Sequence, residues 1–148
     1  MIKFFKLPVL VLAFITLTAG QLFAQSGSSE VPLEMKTGAQ SIINGQFQAF
    51  RDRDHETAFS FASPSLQKIF GSTQRFIGMV KNGYSAIYDA QNWSFGRSRL
   101  EGDTIYQEVL VSGPDGRQWA ALYQLNKEAD GNWKIGSVRI LPARTQST

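Results

Sequence analysis

The sequence predicts an α+β domain, with helices first and a curled antiparallel sheet of four to five strands last. Three observations carry that prediction. Ala39, Ile42, Ile43, Phe47 and Phe50 recur at helical spacing and form one apolar stripe. After Gly83 the apolar period shortens to that of a strand. Turn signals then follow at nearly even spacing, at Glu101-Gly102-Asp103, Pro114-Asp115-Gly116 and Asp130-Gly131-Asn132.

The chain of 148 residues fits one domain behind a leader. Lys3 and Lys6, an apolar run from Leu7 to Ala19 and a small residue at Ala24 read as a secretory signal cleaved near Ala24. The run is short for a bilayer span, and polar residues follow it directly, which disfavours a retained anchor. Thr18-Ala19-Gly20-Gln21 has the form of a lipoprotein signal with glutamine in the place of the lipid-bearing cysteine. The chain has no cysteine, so neither that anchor nor disulfides can form. Loss of the leader removes two lysines and no acid, lowering the formal charge from +3 to +1. No basic run remains that would suit nucleic acid or an anionic membrane surface.

Residues 25–36, rich in Ser and Gly with Pro32, are expected to form a flexible lead-in. The domain is placed at residues 37–142 and a tail at 143–148. Thr37 with Gln40 has the form of a capping box, which starts the first helix at Thr37 and carries it to about Arg53. Asp54 caps a short helix bearing Ala58, Phe59 and Phe61. Ser63-Pro64 restarts the chain as a third helix with Leu66, Ile69 and Phe70, ended by Gly71. Ser72 caps a fourth, in which Phe76, Met79 and Val80 share a face, and Asn82-Gly83 stops it.

Tyr84 to Tyr88 is read as a short extra strand. Trp93 to Leu100, Thr104 to Ser112, Arg117 to Leu125 and Trp133 to Leu141 follow as a meander, because short connections make successive strands antiparallel neighbours. At about 3.3 Å per residue such strands reach roughly 30 Å and are expected to curl. Gly96 and Gly136, inside strands, permit bends or bulges. Trp93, Phe95, Trp119, Tyr123, Leu125, Trp133 and Ile135 are expected to face the helices. Leu110, Leu122, Val138 and Ile140 are expected on the opposite face, as a partner surface or a homodimer interface.

These pieces resemble a known family. Ile43 to Phe50 (INGQFQAF), Ala58 to Phe70 (AFSFASPSLQKIF), Phe76 to Tyr84 (FIGMVKNGY) and Gly113 to Ile135 are similar to exported bacterial proteins grouped as domain of unknown function 4864. The resemblance implies a Gram-negative envelope protein, periplasmic or secreted, with a cystatin-like or nuclear-transport-factor-2-like (NTF2-like) fold. Members often carry a cysteine after the last-strand glycine; Ser137 stands there, so no thiol role transfers. The fold implies a conical cavity walled on one side by the first helix, with Gln46, Phe47, Tyr84, Trp119 and Tyr123 as its ligand-pocket candidates.

Gln46 is an anomaly in its own right, because it falls inside the apolar stripe between Ile42, Ile43 and Phe50. A buried amide needs partners, so it either faces a cavity or bonds within a closed core, to backbone or to a tyrosine such as Tyr84 or Tyr123. The closed core is the preferred reading. Asp52, Asp54, His55 and Glu56 form the densest titratable cluster. As a calcium loop the cluster lacks the turn glycine and the closing glutamate, and one histidine without cysteine cannot hold structural zinc. A solvated junction capped by Asp54 is preferred over an acid/base site.

No metal or cofactor is expected. A glycine-rich phosphate loop, a nucleophile elbow and a dinucleotide fingerprint are all missing from the sequence. Three functions remain: a non-enzymatic envelope domain binding a small ligand or protein, an enzyme of the same fold using His55 or a pocket acid, and an assembly module. The missing catalytic signature counts against the enzyme.

Overall fold

A computed structural model describes residues 30–143; the leader, the first part of the lead-in and most of the tail lie outside them. The helices are α1 (Leu33–Arg51), α2 (His55–Ser60), α3 (Pro64–Phe70), α4 (Thr73–Gly83) and α5 (Ser85–Tyr88). The strands are β1 (Asn92–Glu101), β2 (Thr104–Ser112), β3 (Gln118–Lys127) and β4 (Trp133–Pro142). They pair in chain order as one curled antiparallel sheet with the helices on one face. No helix among the described residues is long and apolar enough to cross a membrane.

Local signals set most element ends. Ser63 and Ser72 accept from the backbone of Leu66 and Arg75, and Asp54 accepts from Thr57. Gly71 ends α3 in the left-handed conformation. Two elements differ from expectation. α1 begins a turn before Thr37, its N-terminus at Pro32, whose carbonyl accepts from Lys36 at 2.9 Å. The added turn lets Val31 and Met35 join the core, and that burial outweighs the capping box. Tyr84–Tyr88 is a helical turn rather than a strand: Ile87 and Tyr88 donate to the Tyr84 carbonyl at 2.9 and 3.0 Å. Packing of Ala86, Ile87 and Tyr88 into the core decides a segment too short to show a period.

The core lies between α1 and the sheet. Ala39, Ile43, Phe47 and Phe50 meet Ile105, Val109, Val111, Ala121, Tyr123, Leu125 and Ile135, all buried. Two bulges govern which residues face it. In β4, Gln124 pairs with Ser137 but Leu125 pairs with Ile135, so Gly136 is the extra residue. The phase flips there. Trp133 and Ile135 face inward before the bulge, and Val138 and Ile140 face inward after it, opposite Tyr123 and Ala121. The expectation that Val138 and Ile140 lie on the outer face is therefore corrected, because one added residue reverses the alternation. Leu110 and Leu122 remain on the outer face, where Leu141 joins them.

In β1 the same device lies at Gly96 and Arg97, which stand opposite Glu108 alone. It turns Arg97 and Arg99 into solvent, where they meet Glu108 and Glu101 at 3.6 and 3.1 Å. The carbonyls that the bulge releases are satisfied from inside. Fully buried Gln107 donates from Nε2 to Gly96 (3.1 Å), Arg97 (3.3 Å) and Glu108 (2.9 Å), and its Oε1 accepts from Gln40 of α1.

Candidate functional site

The α2–α3 connection is stitched to the sheet beside the β4 bulge. Ile135 donates to the Phe61 carbonyl at 2.9 Å, Ser63 donates to the Ile135 carbonyl at 2.8 Å, and Lys134 Nζ reaches Ser60. This holds α3 and α4 across the sheet without filling the space beneath them. What remains is a cavity of about 260 Å³. Its closed end is made by buried Gln46 and Phe50 (α1), Ala62, Phe76 and Val80 (α4), Ile87 (α5), Tyr123 (β3) and Ile135 (β4). Its mouth is the more exposed set Leu66, Phe70, Met79, Tyr84, Ser137 and Val138.

Four polar side chains interrupt this apolar wall. Gln46, 4% exposed, donates from Nε2 to the Ala58 carbonyl at 3.1 Å. Tyr84 donates its hydroxyl to the Val138 carbonyl at 3.1 Å. Ser137 at the bulge donates to Gln124 Oε1 at 3.1 Å. Tyr123 is fully buried, and its hydroxyl finds no hydrogen-bond partner among the described residues. Burial pushes that phenol well above the ordinary tyrosine range, because its anion would have no solvation there. No aspartate, glutamate, histidine, lysine or arginine is among the lining residues.

Gln46, Tyr84 and Tyr123 thus meet at one cavity. Phe47 and Trp119 do not line it. Phe47 stacks on Trp93 with ring centroids 4.7 Å apart, on the far side of Tyr123, whose ring is 6.0 Å away. Trp119 shares the inward face of β3 with Tyr123 but stands four residues away, about 13 Å along the strand. There it pairs with Val111 and Pro142 and carries Arg117 over its ring. The lining residues missed by sequence reasoning include Ile135 and Val138, brought together by the Gly136 phase change. The glycine was the available signal.

The acidic cluster is a capped junction. Asp54 caps α2, and hydrogen bonds from Thr57, side chain before backbone, hold its carboxyl below the usual range. Asp52 and Glu56 are exposed, and no group of three potential metal ligands occurs among the described residues. His55 is only half-buried, with Nε2 at 2.9 Å from the Tyr88 hydroxyl. Arg53 closes α1 with φ 59°, its N–H on the Phe50 carbonyl and that of Asp54 on the Ala49 carbonyl. Its guanidinium lies 4.3 Å over the Tyr88 ring and meets Asp89 at 2.6 Å, the hydrogen bond that chiefly raises its pKa. None of these groups reaches the cavity.

The model of the family described as "Domain of unknown function (DUF4864)" matches residues 33–148, well over half of the chain. Among solved structures, an NTF-2 like protein of unknown function from Silicibacter pomeroyi DSS-3 is similar, at TM-score 0.52 and 18% identity. The likeness covers 73% of this chain and 97% of that one, and at such identity it shows the fold alone: NTF2-like. No curated protein matches the chain.

Proposed function

Since the chain belongs to the DUF4864 family, whose fold is NTF2-like but whose role is open, we propose from its own cavity that it is an exported, non-enzymatic domain binding a small apolar ligand. The observation that carries this reading is the lining itself. An apolar chamber with a few polar side chains at its closed end is the usual make-up of a small-molecule site. The alternative, an enzyme, needs converging titratable groups. The one histidine and its neighbours Asp52, Asp54 and Glu56 lie at the α1–α2 junction instead, and no acid lines the cavity.

Thermal unfolding of the full mature chain with a panel of small aromatic and branched hydrocarbons tests the binding reading. A ligand at 100 times its Kd adds about 2.7 kcal/mol of stability, and Val80→Phe, which narrows the chamber, is expected to abolish the response. A natural chain insensitive to every probe would overturn the proposal. Export rests on the leader described above. Mass spectrometry of the envelope fraction is expected to find a chain beginning near Gln25; one beginning at Met1 contradicts it.

A further inference from the structure

Building on the cavity reading, we infer that the ligand is uncharged and carries a hydroxyl group, set at the closed end between Tyr123 and Gln46. The argument starts from unmet hydrogen-bonding capacity. Tyr123 offers an O–H donor with no acceptor, and buried polar groups in native proteins are nearly always paired. Gln46 is oriented by its Nε2 donating to the Ala58 carbonyl, which leaves Oε1 as the free end of the amide. No donor meets that oxygen among the described residues. Both residues border the same cavity at its buried end, where the Tyr123 hydroxyl is closed off even from water, so a ligand must part the wall there to reach it. One unmet donor and one unmet acceptor match a group that accepts and donates at once, as an alcohol or phenol does.

Charge is excluded by the same wall. A carboxylate or phosphate would meet no cation, and an ammonium no anion, because the lining holds neither. The suppressed ionisation of Tyr123 reports the same intolerance of buried charge. Size follows from volume. At about 30 Å³ for each water-sized unit, 260 Å³ holds roughly nine, so a single ring or a short branched chain with one hydroxyl fits.

The test titrates the full mature chain with benzyl alcohol, benzyl methyl ether, toluene and benzoate, followed by calorimetry, for the natural protein and Tyr123→Phe. The natural protein is expected to bind the alcohol and to leave benzoate unbound. Tyr123→Phe is expected to weaken the alcohol roughly tenfold while changing toluene less than about twofold. Equal changes for alcohol and toluene would overturn the inference alone, and are what an enclosed water on Tyr123 would produce. Binding of benzoate as tight as that of the alcohol would also overturn it. Should circular dichroism show Tyr123→Phe unfolded, the natural protein still decides. Preference for the alcohol over its methyl ether, which accepts but cannot donate, supports the pairing with Gln46, and the reverse order sinks it. If none of the four probes binds the natural protein, the cavity reading itself falls.

Discussion

Gln46 of α1 donates to the carbonyl oxygen of Ala58 in α2 at 3.1 Å while bordering the cavity. Closed-core bonding and cavity exposure, opposed as alternatives in the sequence, are combined in this one side chain. Its amide nitrogen ties two helices together, and its oxygen is left for the chamber. Gln46→Leu leaves the Ala58 carbonyl unpaired and is expected to cost about 1–3 kcal/mol, read from urea unfolding. An unchanged or higher midpoint would show that the bond contributes nothing.

Gly45 is expected to be irreplaceable although it sits inside a helix. A Cβ there would come 2.6 Å from Cζ of Phe61 and 3.2 Å from two neighbouring ring atoms. Glycine to alanine in a helix normally stabilises by about 1 kcal/mol. Here the ring, held by the α2–α3 connection, must move, so Gly45→Ala is expected to destabilise by about 1–3 kcal/mol. A gain in thermal midpoint would mean that Phe61 relocates freely.

Phe47 and His55 separate core from junction. Phe47 is 1% exposed and stacked on Trp93, so Phe47→Ala is expected to cost about 3–5 kcal/mol. His55→Ala gives up one half-buried hydrogen bond to Tyr88, a loss of about 1 kcal/mol. Paired urea titrations check the order, and the reverse ranking would misplace the core.

Acid should weaken the fold through three exposed caps and turns. Hydrogen bonds from Thr57, Arg117 and Asn132 lower the carboxyl pKa values of Asp54, Asp115 and Asp130 below the ordinary 3.8. A carboxyl depressed in the folded state adds stability that is present above its unfolded pKa. That stability is lost as pH falls from about 3.8 through the depressed folded value. Asp54→Asn keeps a capping side chain without the charge, so it is expected to flatten this acid limb in stability measured against pH. An unchanged slope would remove Asp54 from the account.

The sequence by itself determined what local chemistry decides. Ser63-Pro64, Ser72 and Gly71 set helix ends because their hydrogen bonds and backbone angles involve only neighbouring residues. The turns at Gly116 and Gly131, with φ of 78° and 84°, delimited the strands for the same reason. The alternation of Trp93 with Phe95 and of Trp133 with Ile135 named the inner face up to each bulge. Only the tertiary structure decided the rest. Burial of Val31 and Met35 moved the start of α1, and packing of Ile87 and Tyr88 made a helical turn of an ambiguous run. Gly136 announced that β4 could bulge, but the extra residue exists only relative to the partner strand, where Gln124 meets Ser137 and Leu125 meets Ile135. That pairing sent Val138 into the cavity beside Tyr123. The cavity itself is a gap left among α1, α3, α4, α5 and the sheet, so no single stretch of residues encodes it.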